Sequence, residues 1–335
     1  IDLTFSAPKS VSIAALIFKD ERVIDAHKDA VAATLEIVEK ELVQTRKSQG
    51  GQMITETGGK IIAGLFLHDT SRALDPQLHT HAAIANMVMD DNGKYTSLSN
   101  EQIMKAVTFG SEVYRSYLAK SLEKIGYTVE REGQHRFVSI KEVPQEVQDL
   151  FSKRSQEIDK AITEHGAENV PKNRELAALA TRVTKDRTID REKLHSEWLK
   201  EAKENGINLD AIAREIDKTK DRAANYAAPE LKSDTKQDLA HQAVLKGIAH
   251  ISETATTYSK TQVLKAATNF ADDKITPADV LTSVNEAIKS KQMLPAKEYS
   301  IHGKASEELY TDSESLLTEK KIVNGYRLTQ NRSQL

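Results

Sequence analysis

The sequence predicts an α+β protein: an antiparallel sheet with helices on one face, followed by a mainly helical C-terminal segment. Two patterns carry this reading. Up to Val143 many apolar residues alternate in short runs bounded by Gly, Asn and Asp, the signature of half-buried strands and turns. After Val143 they recur at helical spacing.

Asp2 to Ser6 alternates, with Leu3 and Phe5 toward a core and Asp2, Thr4 and Ser6 on the other face. Pro8 stops this strand, and Lys9-Ser10 opens a helix with Ser10 as its expected N-cap. From Asp25 to Arg46 the stripe Val31, Leu35, Val38, Leu42 is helical, and Gly50-Gly51 ends it. Gln52–Thr57 and Lys60–His68 are expected as two strands joined by a tight Gly58-Gly59 hairpin turn. A polar loop, Asp69 to Gln77, leads into a strand from Leu78 to about Met89. Asp91-Asn92-Gly93 is a second turn, before Lys94 to Leu98. A helix from Asn100 to Ile125 and strands at Tyr127–Arg131 and Arg136–Ile140 complete the sheet region.

Lys172–Arg182 and Arg191–Asn205 are the clearest later helices, the second burying Leu194 and Trp198. The polar stretch from Asp217 to Gln237 lacks periodicity and is expected as a linker. Short helices follow at Asp238–Ile251, Lys260–Phe270 and Pro277–Ser290. The expected division is a first domain over 1–225, a linker over 226–237 and a helical region over 238–335.

A chain of 335 residues has room for two domains. Apolar runs such as Ile61–Leu67 fall far short of the ~20 residues that span a bilayer, so no membrane insertion is expected. No signal-peptide pattern opens the chain, and its first residue is not Met, so it is expected to be a fragment or a processed piece. Cysteine is absent, which excludes disulfides, thiolate metal sites and cysteine nucleophiles and suits a reducing cytoplasm. A net charge of −3 argues against a charge-driven nucleic-acid coat protein, but not against an enzyme with local basic groups.

Three of the ten histidines fall within fourteen positions, as His68-x₁₀-His79-x-His81. Residues i and i+2 of a strand share a face, so His79 and His81 project side by side. An antiparallel partner ending at His68 brings the third imidazole beside them. Three neutral imidazoles leave coordination positions open, as catalytic use of a metal requires. A His-x-His pair also occurs in cupin-type metal sites, so the spacing alone names no reaction. Asp2 can orient a metal-bound imidazole, accept a proton from an attacking hydroxyl, or simply stand exposed at a strand end. Lys9 and Ser10 sit at a helix start, where an anion such as a DNA phosphate is favoured; an ordinary capped terminus has the same pattern. Arg72 can clamp a phosphate or pair with Asp69 or Asp75.

Together these residues resemble a known family. Asp2-Leu3-Thr4-Phe5-Ser6-Ala7-Pro8-Lys9-Ser10-Val11-Ser12 is similar to the signature segment of MobF-type conjugative relaxases. His68-Asp69-Thr70-Ser71-Arg72 with Asp75-Pro76-Gln77-Leu78-His79-Thr80-His81-Ala82 resembles that family's metal-binding motif. The resemblance covers roughly Ile1 to Tyr226.

It implies an HUH-endonuclease fold, with a palm-like antiparallel sheet. It implies a divalent ion, Mg²⁺ or Mn²⁺, on His68, His79 and His81, with Asp2 assisting a tyrosine or ordering a histidine. The implied reaction is nicking and rejoining of single-stranded plasmid DNA at an origin of transfer, through a covalent tyrosine link to the 5′ end. Implied partners are relaxosome proteins and a type IV secretion system, in the bacterial cytoplasm. The family's catalytic tyrosines lie upstream of the segment with which this chain begins, and no tyrosine here precedes Tyr95. The chain alone is therefore expected to be inactive, its later part being the start of a helicase-like region. No Gly-x₄-Gly-Lys-Ser/Thr loop occurs, so ATP hydrolysis is not expected. The rival readings are a single-stranded-DNA-binding module without chemistry and a cupin-like oxygenase.

Overall fold

The computed structural model describes residues 1–49, 52–90, 92–132, 137–181, 190–226, 231–296 and 308–332. It divides into two compact units, Ile1–Lys105 with Tyr117–Ala228, and Ala106–Ser116 with Pro229–Leu335.

The first unit opens with β1 (Asp2–Ser6), α1 (Lys9–Leu16) and α2 (Glu21–Glu41). Then come β2 (Gln44–Gln49), β3 (Gln52–Thr57), β4 (Lys60–Thr70), β5 (Pro76–Met89), β6 (Tyr95–Thr96) and β7 (Leu98–Ser99). Four of these strands form the main antiparallel sheet, in the order β1-β5-β4 with β6 also on β5. Strand β5 is the hinge of the design. Its Leu78, Thr80, Ala82 and Ile84 are buried, while His79, His81 and Ala83 alternate to the open face. Helices α1 and α2 cover the buried face, α2 through a stripe of Val23, Ala26, His27, Ala30, Val31 and Thr34.

After α3 (Glu101–Lys105) and α4 (Val107–Lys124), whose first part belongs to the second unit, β8 (Val129–Glu132) pairs with β9 (Phe137–Ile140). Five helices complete the unit: α5 (Gln145–Leu150), α6 (Lys153–Glu164), α7 (Pro171–Ala180), α8 (Arg191–Glu204) and α9 (Leu209–Ala224). As expected, α8 buries Leu194 and Trp198.

The second unit holds α10 (Ser233–Ser252), β10 (Tyr258–Ser259), α11 (Lys260–Phe270), α12 (Pro277–Lys289), β11 (Leu294–Ala296), β12 (Leu309–Thr311) and α13 (Ser313–Arg332). It is mainly helical, with a three-stranded antiparallel sheet that the helical spacing did not announce.

Several local expectations are corrected. Helix α2 ends at Glu41, and Gln44–Gln49 forms a strand, β2, that pairs residue by residue with β3. The Gly50-Gly51 stop and Asp91 lie outside the described residues. Gly58-Gly59 does not close a hairpin, because β3 pairs with β2 and β4 with β5. The two glycines, at φ +121° and +105°, instead carry the chain from one sheet to the other. A Cβ on Gly59 would stand 2.3 Å from a Val88 methyl, so no larger residue fits there. The polar stretch from Asp217 is helical to Ala224 and again from Ser233, leaving little of it as a linker. Polar helices whose charges pair at i,i+3, as Lys218 does with Glu215, mask the apolar periodicity.

Candidate metal centre

The register of the main sheet assembles the three histidines. His68 of β4 stands directly opposite His79 of β5, and His81 follows two residues on, on the same face. Their ring centroids lie 5.0 to 5.3 Å apart. One nitrogen from each ring lies within 4.8 Å of the other two, and all three side chains are half-buried.

Hydrogen bonds set which nitrogen faces inward. His79 Nδ1 meets the carbonyl oxygen of Gln77 at 2.8 Å, so that nitrogen carries the proton and donates. His81 Nδ1 lies 2.9 Å from Asp2 Oδ2 and 3.1 Å from Thr4 Oγ1. A metal held by these two rings would therefore bind through Nε2. This is the carboxylate–histidine and carbonyl–histidine support that fixes metal-binding imidazoles. The donor set fits a divalent ion: three imidazoles, open positions and a second layer of partners.

Of the roles open to Asp2, the geometry realises contact with an imidazole. Strand β1 runs antiparallel to β5 with Thr4 opposite His81, which brings Asp2 and Thr4 to the same ring from one face.

The other expected site residues are placed differently. Ser10 does not cap α1; the cap position is Pro8 and Ser10 is inside the helix. Its hydroxyl is fully buried and accepts the backbone N–H of Ile140 at 3.1 Å, so no phosphate reaches it. Lys9 donates its ammonium to the Pro76 carbonyl at 2.9 Å. Burial pushes Lys9 down to about 8, against the pull of Asp75. Asp75 is itself raised above the usual carboxylate range by burial, against Lys9 and Lys153. Lys9 therefore anchors the start of β5 rather than standing open at a helix terminus. Arg72 is exposed on the turn between the two histidine strands. Asp69, one of the partners considered for it, is bridged by Arg191 at 3.1 Å.

That turn carries contacts the sequence did not reveal. Ser71 Oγ accepts the N–H groups of Ala73 and Asp75, and Leu74 takes a left-handed φ of +61°. The indole N–H of Trp198 donates to the Leu74 carbonyl. Lys153, bonded to Glu201 of α8, also approaches Asp75 at 3.8 Å. Behind the histidines, His27 Nε2 and Thr80 Oγ1 are 2.8 Å apart in the core. Burial pushes His27 down to about 4, helped by His79 and Lys28.

Comparison with known proteins places this geometry. Residues 1–205 match the family described as TrwC relaxase. The multifunctional conjugation protein TraI of Escherichia coli is 36% identical over 305 residues, covering 88% of this chain and 17% of TraI. The chain thus spans about a sixth of the length of the curated relatives it matches. A solved structure of conjugative relaxase TrwC in complex with mutant oriT DNA aligns with a TM-score of 0.58 and 40% identity, over 62% of this chain and 74% of that one. A copper-bound TrwC–oriT DNA structure aligns with the same score and identity, over 62% of this chain and 71% of that one.

Proposed function

Because the chain belongs to the TrwC relaxase family, we propose that it carries the metal-binding half of an active site that nicks and rejoins plasmid DNA at an origin of transfer. The observation that carries this is the clustering of three imidazoles on one sheet face, with Nδ1 of His79 against Gln77 and Nδ1 of His81 against Asp2. The ion is Mg²⁺ or Mn²⁺ in this reading, and when bound it supplies Lewis-acid polarisation of the scissile phosphate.

The protein's own part is positioning. His68, His79 and His81 hold the ion at an open sheet face where a strand of DNA can lie. Asp2 keeps His81 in the tautomer with its Nδ1–H outward and strengthens it as a ligand. Exposed Arg72, on the adjoining turn, is placed to meet a neighbouring phosphate. A tyrosine hydroxyl attacks phosphorus, the 3′ oxygen leaves with a proton, and the phosphotyrosine at the 5′ end preserves the bond energy for rejoining.

The tyrosines described around this sheet support a nucleophile from elsewhere. Tyr95 stands opposite Met89, ten residues along β5 from His79, or about 30 Å. Tyr127 is buried and donates to Asp20. In the same reading the partners are origin DNA, relaxosome proteins and a type IV secretion system, and the setting is cytoplasmic. Among the described residues, no helix is long and apolar enough to cross a membrane.

The test uses the longest polypeptide that contains this chain, a plasmid bearing a transfer origin, and Mn²⁺. Covalent attachment of protein to the nicked strand is expected, and is lost in His79→Ala. Persistent attachment in that variant would overturn the reading.

A further inference from the structure

The second unit contains a motif in which the histidine site has no part. From Ser233 to Thr311 the order is helix, strand, helix, helix, strand, strand: α10, β10, α11, α12, β11, β12. The three strands form one antiparallel sheet in the order β10-β12-β11, so the last strand is central. This is the connectivity of a winged helix-turn-helix, whose second turn-linked helix faces outward.

The packing obeys that plan. A Cβ on Gly247 of α10 would stand 2.8 Å from the Ala267 backbone nitrogen of α11, so these helices meet backbone to backbone. Capping boxes start α11 at Ser259 and α12 at Thr276, fixing the N-terminus of each helix of the turn-linked pair. Helix α12 buries Val280, Leu281, Val284 and Ala287 and turns Ala278, Thr282, Glu286 and Lys289 outward.

We propose that this module binds duplex DNA, with α12 entering the major groove. In helix-turn-helix readers the N-terminal residues of the second helix contact base edges. Here Ala278 and Thr282 occupy that part of the exposed face, short enough for close approach and suited to a thymine methyl. The Thr282 hydroxyl donates to the Ala278 carbonyl at 3.0 Å and can still accept from a base, and Glu286 can accept from a cytosine amine. Exposed Lys274 before α12, and Lys289 and Lys291 at its end, bracket about 20 Å of helix, where the groove walls carry phosphates. The Asp272 carboxylate accepts the Lys274 N–H at 2.8 Å and so serves the turn. Helix α12 has no aromatic residue to stack an unpaired base, which favours duplex over single-stranded DNA. Three lysines amid acidic neighbours predict a shallow salt dependence, a slope of about −3. The assignment is independent of the histidine site.

Fluorescence anisotropy of the full chain with a mixed-sequence 20-base-pair duplex, in EDTA and low salt, tests this. The wild-type chain is expected to bind the duplex. Ala278→Glu with Thr282→Glu should weaken binding by about tenfold or more at an unchanged unfolding temperature, since both positions are exposed. Lys289→Gln should reduce the salt slope by about 1. A double variant that binds like the wild type overturns the proposal, as does a folded wild-type chain that ignores the duplex. Loss of self-association in the double variant, without duplex binding by the wild type, would give the face to a protein partner instead. A parallel titration with dT20 and Mn²⁺ reports the histidine face, so failure there is seen separately.

Discussion

The indole Nε1–H of Trp198 donates to the carbonyl oxygen of Leu74 at 2.8 Å, across 124 residues of sequence. Leu74 is the left-handed residue of the turn that joins His68 to His79. Helix α8 reaches the same segment through Arg191 on Asp69, two turns earlier on the helix. It thus fixes the loop whose ends carry His68 and His79. Trp198→Phe, which keeps an aromatic ring but removes the donor and some buried volume, is expected to cost at least on the order of 1 kcal/mol in urea unfolding. An unchanged stability would show that solvent replaces the bond without loss.

Asp2 acts through His81. Its carboxylate is exposed, so in the proposed site its effect would be on the orientation and basicity of His81 rather than on the stability of the fold. Asp2→Ala is expected to weaken Mn²⁺ binding by about 10- to 100-fold in calorimetry, with Asp2→Asn in between. Equal affinities for all three proteins would remove the supporting role.

His79→Ala removes the imidazole that stands opposite His68 and two residues from His81. Two imidazoles do not hold a divalent ion as three do, and titration heat for Mn²⁺ should vanish. In the intact chain, Mn²⁺ at about 100 times its dissociation constant should add roughly 2.7 kcal/mol of stability, removable with EDTA. Thermal shift checks both statements. An ion-induced shift retained in His79→Ala would place the ion elsewhere.

His27 sets an acid limit on the fold. Its ordinary value of 6.5 falls to about 4 in the folded chain, mainly through burial. Between these values the unfolded chain binds the extra proton, so stability rises with pH across the window and is lost as pH falls from about 6.5 to 4. The loss approaches roughly 3 kcal/mol at 1.36 kcal/mol per unit. His27→Gln, which keeps a polar partner for Thr80, should flatten this part of a denaturation-against-pH curve. A slope as steep as that of the wild type would assign the acid sensitivity to other groups.

Much of the histidine cluster was legible because its members are local. Alternation along β5 put His79 and His81 on one face, and a short connection brought His68 opposite. The polar face of Asp2 and Thr4 was legible for the same reason, though its contact with His81 needed the pairing of β1 with β5. Trp198, Arg191 and His27 were not legible as site residues, since apolar or charged helical positions give no sign of a partner far along the chain. Gly58-Gly59 misled because a glycine pair marks positive φ, and positive φ serves a sheet change as well as a hairpin. Ser10 misled because a hydroxyl at a helix start suits a buried backbone donor as well as a cap. The strands of the second unit are two or three residues long, too short to show a period.

The three histidines span fourteen residues of a single hairpin, whereas Asp2 meets His81 across 79 residues. These two separations imply two clocks. A hairpin of this kind closes in microseconds, and a contact of long range waits for the chain to collapse around it. On this ground the imidazoles are expected to gather before β1 docks, so an ion reaching the proposed site early would meet it without Asp2. Full affinity in that reading would come only when the strand bearing Asp2 pairs with β5.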